Sequence, residues 1–309
     1  MLKHIPLSTP SISGNEWKYV KDCLDTEWVS SAGSYVDLFE VKISKFTKSK
    51  FAVACMNGTS ALHVSLLLAG VTKKDEVIVP SLAFIAPINA VKYCNAEPVF
   101  MDSDNFFNID IEKTIKFVKE ETKLLVKNKF SKQPVSINLK TGKRISALIV
   151  VHVFGNAVLL DELVKLCKKR NIKIIEDASE SLGTVYKSGT FAGKHTGTVG
   201  FAGCLSFNGN KVITAGGGGI ILVNNKEIAE KAIYLSSQAK DDPIRYIHNN
   251  IGYNYRMTNV QAAIGTAQLE SLRKILKAKK KIYKDYCKAI NSIEGLVVSK
   301  VPPYSSNNH

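Results

Sequence analysis

From residue 51 to residue 223, short apolar runs rich in β-branched residues alternate with stretches of helical character, and this rhythm limits the architectures open to the chain. Phe51-Ala-Val-Ala-Cys55 reads as a strand and Ser60–Leu68 as a helix. Glu76-Val-Ile-Val79, the helix Ile85–Tyr93 and Pro98-Val-Phe-Met101 come next. Further on, Ala147–His152 and Lys173–Ile175 are buried-type strands around the helix Leu159–Arg170, and Leu205–Phe207 and Ile220–Val223 complete the set. Apolar strands separated by helices predict an α/β fold, with a mostly parallel central sheet and helices on both faces. Helices are also expected at Asn15–Asp25 and Val36–Phe46, ahead of the alternation. Lys123–Arg144, polar and basic with Pro134 and Gly142, breaks the rhythm and is expected to be a surface excursion such as a β-hairpin. After Ala239 the chain turns helix-rich, with Asn259–Leu276 running into Lys277–Ala289, and Val301–His309 reads as irregular.

A chain of 309 residues, 45% hydrophobic, can build a large domain with a smaller one beside it. The division is expected at residues 1–240 and 241–309. The apolar runs stop well short of the ~20 residues of a membrane span. Met1-Leu-Lys-His-Ile-Pro has no apolar leader, so a cytoplasmic protein without membrane partners is expected. Six cysteines stand singly, without metal-ligand or disulfide spacing, and read as ordinary thiols. The net charge of +15 comes from lysines spread along solvated helix faces such as Lys165–Arg170 and Lys274–Lys284. That pattern suits a plain solvated surface or attraction of an anionic small molecule; it carries no nucleic-acid signature, and no such partner is expected.

The residues after the first strand, Met56-Asn-Gly-Thr-Ser-Ala61 in place of Gly-x-Gly-x-x-Gly, exclude a dinucleotide fold. Asn57-Gly-Thr-Ser60 reads either as a helix N-cap or as an anion cradle, since small and hydroxyl residues there leave amide hydrogens and the positive dipole end facing a ligand. Phe84 comes after a strand at the edge where open α/β sheets bind ligands, and reads either as core or as a stacking platform. Asp177 ends the run Ile172–Glu176, and Lys211 sits in the glycine-flanked Ser206-Phe-Asn-Gly-Asn-Lys-Val-Ile-Thr-Ala-Gly-Gly-Gly-Gly219. Such a pair is what pyridoxal phosphate (PLP) requires: a lysine amine that forms a Schiff base and a carboxylate that keeps the pyridine nitrogen protonated. Ser206 can add a hydroxyl for the phosphate, and Glu180 can reach the ring's phenolic oxygen. Lys211 would also shuttle a proton, a task that needs an amine pKa well below ~10.4.

These segments resemble the DegT/StrS family of PLP-dependent nucleotide-sugar aminotransferases, a fold type I group. The resemblance runs from Gly14-Asn-Glu and Asp25-Thr-Glu-Trp-Val-Ser30 through Asn57-Gly-Thr-Ser-Ala-Leu62, Gly70 and Asp75-Glu-Val-Ile-Val-Pro80. It continues with His152-Val-Phe-Gly155, Ile175-Glu-Asp-Ala-Ser-Glu-Ser-Leu-Gly183, Ser206–Gly219 and Gly252–Gly265. It implies that Lys211 binds the cofactor covalently, that Asp177 pairs with its ring nitrogen and that Phe84 stacks on its ring. Thr59, Ser60 and Ser206 would hold the phosphate, and Gly58, Glu180 and Asn210 would complete the cofactor site. Asn254 would reach the phosphate of the neighbouring subunit, so a homodimer is implied. Ser206-Phe-Asn-Gly-Asn-Lys, Glu176-Asp-Ala-Ser-Glu-Ser-Leu-Gly and Lys140-Thr-Gly-Lys-Arg144 are similar to the legionaminic-acid-pathway type. The implied reaction is amino transfer from L-glutamate to C4 of a UDP-linked 4-keto-6-deoxy-N-acetylhexosamine. The rivals are a PLP-dependent dehydratase or lyase acting on a related sugar, which the presence of Lys211 disfavours, and a non-catalytic binding protein. The second rival arises because family members continue past the position of His309, so the small C-terminal domain is expected to be incomplete.

Overall fold

The computed structural model describes residues 6–126, 133–242 and 244–309. Helices α1 (Glu16–Asp25) and α2 (Ser34–Thr47) come first, followed by β1 (Phe51–Cys55), α3 (Gly58–Leu68), β2 (Asp75–Pro80), α4 (Ala86–Tyr93) and β3 (Glu97–Met101). The chain continues through α5 (Ile111–Glu120), β4 (Thr122–Leu125), β5 (Val135–Asn138), β6 (Arg144–Val151), α6 (Asp161–Lys169) and β7 (Lys173–Asp177). It ends with β8 (Val185–Tyr186), β9 (Ala202–Ser206), β10 (Gly219–Val223), α7 (Lys226–Ser236), α8 (Asn259–Ile290) and β11 (Ser305–Ser306).

The main path of the sheet is β1-β10-β9-β7-β6-β2-β3. From β9 to β3 neighbouring strands run parallel, and β10 runs antiparallel to both β9 and β1. The mostly parallel sheet is therefore present, with one reversed strand near its edge. Side chains alternate between its faces as a period of two requires. Val53, Cys55, Val77 and Val79 enter one core with Ala61, Leu62, Val64, Ala90 and Ala232 of α3, α4 and α7. On the opposite face Ala52 and Ala54 meet Phe39 and Ile43 of α2, while Ile78 meets Val118 of α5 and Leu163 of α6. Strands β6 and β10 are buried over nearly their whole length, which explains why they read as continuous apolar runs.

The excursion at Lys123–Arg144 is an antiparallel pair, β4 on β5, with β5 leaning on the start of β6. Residues 127–132 of that expected hairpin lie outside the described residues. Helices α5 and α7 were not anticipated. Both begin at side-chain caps, Asp110 accepting from the Lys113 amide at 2.9 Å and Asn225 from the Ile228 amide at 3.0 Å. Asp and Asn before such stretches are N-terminal signals that a strand-centred reading passes over.

The two expected C-terminal helices are one, α8, opened by a capping box between Thr258 and Gln261. Its first turns bury Ala262, Ala263, Thr266, Ala267 and Leu272 beneath α1 and α2. At Gly265 an added Cβ would stand 2.8 Å from the Phe39 ring, so the bare backbone sets that close approach. The tail is irregular as expected, yet it is anchored. Ser305 pairs with Tyr186, and Asn308 Nδ2 donates to the carbonyls of Glu180 and Leu182 at 2.8 and 3.0 Å. Among the described residues no helix is long and apolar enough to cross a membrane.

Candidate active site

The carboxyl ends of β6, β7 and β9 and the loop after β2 open onto one cavity of about 690 Å³, the position at which parallel α/β sheets bind ligands. One wall is the start of α3. Asn57, in extended backbone geometry, caps that helix by accepting the Ser60 amide at 2.8 Å. The amides of Gly58 and Thr59, as at the first turn of any helix, have no intrahelical acceptor. The N-cap reading is therefore met, and Gly58 and Thr59 just inside the cap line the cavity. Ser206, at the end of β9, comes up beside it: a Cβ added to Gly58 would stand 3.0 Å from Ser206 Cβ and 3.2 Å from Ser179 Oγ. Two hydroxyl side chains therefore flank a helix N-terminus, a combination suited to a phosphate.

Asp177 forms the floor. It ends β7, is 5% exposed, and accepts the Ser179 amide on Oδ1 at 3.0 Å. Burial raises its pKa above the ordinary value; the Ser179 hydrogen bonds and the nearby Lys211 cation oppose that shift, and Glu180 adds to it. A buried carboxylate biased toward taking up a proton is poised to be stabilised by a cationic ring. Lys211 rises from the loop after β9, with Nζ 3.4 Å from Glu180 Oε1. The other oxygen of Glu180 accepts the Phe154 amide at 2.8 Å, so the carboxylate stands between the lysine and the turn after β6.

Beneath the floor lies a second, fully buried carboxylate. Glu176 accepts from the Gly197 amide on Oε2 (2.8 Å) and from Val199 and Gly200 on Oε1 (2.7 and 2.6 Å). Its Oε2 also lies 3.0 Å from His152 Nε2. His152 Nδ1 accepts the Val158 amide at 3.0 Å, which puts the ring proton on Nε2, facing Glu176. Burial alone would raise the Glu176 pKa, but the His152 proton and the loop amides hold it below its ordinary value of 4.5. A carboxyl with a depressed folded pKa contributes stability that is present above the unfolded value and lost as pH falls through the folded one. Glu176→Gln would turn an NH₂ group toward amide donors, and is expected to cost about 3 kcal/mol. Thermal melts from pH 7 down to pH 3 should show a lowered Tm at neutrality and a flatter acid limb than wild type. An unchanged Tm would overturn this role for Glu176.

The cavity brings together Gly58, Thr59, Phe84, Asp177, Glu180, Ser206, Asn210 and Lys211, all expected from the sequence. Phe84 is 76% exposed, which removes the core-packing alternative for it. Ser60 does not line the cavity; it is buried, and its amide serves the Asn57 cap. Asn254 is exposed, is bridged to Ser237 and does not line the cavity of its own protomer. Ser179, Asn208 and Phe107 line it as well, and sequence reasoning missed them. Ser179, two residues after a strand-ending aspartate, was the readable one, because that spacing forms an Asx turn.

This donor set fits PLP. It offers an anion cradle for a phosphate, a buried carboxylate for a ring nitrogen, an exposed aromatic face and a primary amine, all on one cavity. The fold and site define a PLP-dependent aminotransferase of fold type I. Residues 10–309 match the DegT/DnrJ/EryC1/StrS aminotransferase family, and the chain belongs to it. It is 39% identical to the GDP-perosamine synthase of Escherichia coli O157:H7 over 94% of this chain and 73% of that protein. It is 36% identical to the Bacillus subtilis protein EpsN, whose name describes a pyridoxal phosphate-dependent aminotransferase, over 99% of this chain and 73% of that one. The fold is that of the aminotransferase TlmJ from Streptoalloteichus hindustanus, with a TM-score of 0.84 at 23% identity over 99% of this chain and 76% of that chain.

Proposed function

We propose that this enzyme transfers an amino group from L-glutamate to C4 of a nucleotide-linked 4-keto-6-deoxy sugar. The observation that carries the reading is the meeting of Lys211 and buried Asp177 in one cavity beside a helix N-terminus. PLP supplies the carbonyl that carries the amino group and the electron sink that eases cleavage of the donor's Cα–H bond. Thr59, Ser206 and the α3 N-terminus hold the phosphate. Asp177 keeps a negative charge against the ring nitrogen at a buried position, where such a charge counts for more than in water. Lys211 Nζ takes the proton from the donor's Cα and later returns one to the sugar's C4. Glu180, within 3.4 Å, positions that amine.

Two features support a sugar acceptor: the family, and relatives named GDP-perosamine synthase. The resemblance of Ser206–Lys211 and Lys140–Arg144 to the legionaminic-acid type favours a UDP-linked N-acetylhexosamine, and these relatives make a GDP-linked sugar the comparison to run beside it. We further propose a cytoplasmic homodimer in which Asn254 completes the partner's phosphate site. Exposed Trp28, Ile244, Tyr246 and Ile251 offer apolar surface for such an interface.

The test is incubation of the PLP-loaded protein with L-glutamate and either UDP- or GDP-linked 4-keto-6-deoxy sugar, with mass analysis of the product. An added amine at C4 is expected. A deoxygenated keto sugar would replace the reading with a dehydratase, and unchanged sugar with unchanged glutamate would leave a binding protein.

A further inference from the structure

Two phenylalanines at the cavity mouth occupy backbone conformations that bulky side chains rarely adopt. Phe107, in the loop after β3, has φ +66°, and Phe154, in the turn after β6, has φ +53°. Their rings meet edge to face, with centroids 5.7 Å apart and planes at 78°. Both line the cavity, and Phe154 remains 64% exposed. Backbone strain at two adjoining cavity positions points to a shape held for a ligand.

The surrounding structure enforces that shape. Asn108, fully buried, accepts the Val153 amide at 3.2 Å and donates to the Ala157 carbonyl at 3.2 Å, locking the two loops together. Asn156 Nδ2 donates to the Phe106 carbonyl at 3.1 Å, a second tie across the same seam. Asn307 of the anchored tail donates to Asn156 Oδ1 at 2.7 Å and to the Phe154 carbonyl at 3.5 Å. The Phe154 amide is held by Glu180, whose other oxygen faces Lys211.

We propose that Phe107 and Phe154 form an aromatic wall that packs against the C–H face of the acceptor's pyranose ring and selects that ring for amino transfer. The inference rests on the sugar-acceptor reading above and deepens it. The Phe154 amide and Lys211 Nζ meet the two oxygens of the one Glu180 carboxylate, and both phenylalanines line the cavity that holds this amine, so the wall stands on the lysine's side of a bound substrate. In a nucleotide sugar the part on that side is the hexose ring, because the base is held off by two phosphates. A pyranose offers apolar C–H edges to an aromatic face, while L-glutamate is open-chain and charged and gains little there.

Phe107→Ala and Phe154→Ala, each loaded with PLP, test the wall, with Phe154→Tyr as a control that keeps the ring. The readouts are steady-state kinetics for the 4-keto sugar, the single-turnover rate with L-glutamate measured by cofactor absorbance, and the affinity for free UDP or GDP. Each alanine variant should raise the sugar KM about tenfold, and lower its kcat/KM about tenfold more than it lowers the glutamate rate. Free nucleotide should bind the variants as it binds wild type, and Phe154→Tyr should restore the sugar KM. A sugar KM unchanged in both alanine variants would overturn the wall, as would a nucleotide affinity that falls in step with it. A wild-type protein that reacts with L-glutamate but aminates no nucleotide sugar would refute the acceptor reading itself, and the wall with it.

Discussion

Lys211→Ala should lower amino transfer by more than about 10⁴-fold, since a positioned proton-transfer group alone contributes ~10²–10⁴ and this lysine is also proposed to anchor the cofactor. The visible absorbance of lysine-bound cofactor should vanish with it. Folding should survive. The polar contact found for Nζ is Glu180 at 3.4 Å, both side chains are partly open to solvent, and such a pair contributes about 1 kcal/mol or less. Lys211→Arg is the informative companion, because it keeps a cation facing Glu180 but cannot take the place of a primary amine. Turnover near wild type in either variant, measured by amine incorporation into the sugar, would remove Lys211 from the reaction.

Asp177→Asn should separate activity from stability. Burial lifts the folded pKa of Asp177 above its ordinary 3.8, so the folded state binds this proton more tightly than the unfolded chain does. Stability therefore falls as pH rises from 3.8 through the folded value, and the cost persists at neutral pH. An uncharged isostere that still accepts the Ser179 amide removes that cost. The PLP-free variant is accordingly expected to melt no lower than PLP-free wild type at pH 7. Turnover should nonetheless drop about 10²–10³-fold, the scale of losing one charge-stabilising group in an enclosed site. Calorimetry with and without PLP, beside the amino-transfer assay, checks both halves. A variant that melts well below wild type without cofactor would show that the carboxylate is chiefly structural.

The sheet was legible because β6 and β10 are buried and apolar almost without break, while β2 and β7 keep the short apolar runs Val77-Ile-Val79 and Ile174-Ile175 beside their charged residues. That Lys211 and Asp177 meet in one cavity was legible for a different reason, because few chemistries ask for an amine and a strand-ending carboxylate in such surroundings. Less visible were α5 and α7, whose exposed faces are charged. In α5, only Thr114 and Val118 are buried, too few to set a clear period. The roles of Phe107 and Phe154 could not be read at all. Phe107 sits in a local turn in which its amide donates to the Asp104 carbonyl, whereas Phe154 is held by Glu180 and Asn307, partners distant in sequence that no local pattern announces.

The residues proposed to hold the cofactor and their neighbours in the cavity lie at 57–59, 177–180, 206–211 and 217–218, and a bond from the Gly218 amide to the Met56 carbonyl at 2.8 Å joins the first stretch to the last. No fragment shorter than about half the chain holds all of them, so the unfolded ensemble has nothing with which to recognise the cofactor. PLP then acts as a thermodynamic latch on the finished fold. At a free concentration a hundred times its dissociation constant, a ligand bound only by the native state shifts the folding equilibrium by about 2.7 kcal/mol. The vitamin supply of the cell would thus set how long this protein survives proteolysis as well as how fast it works.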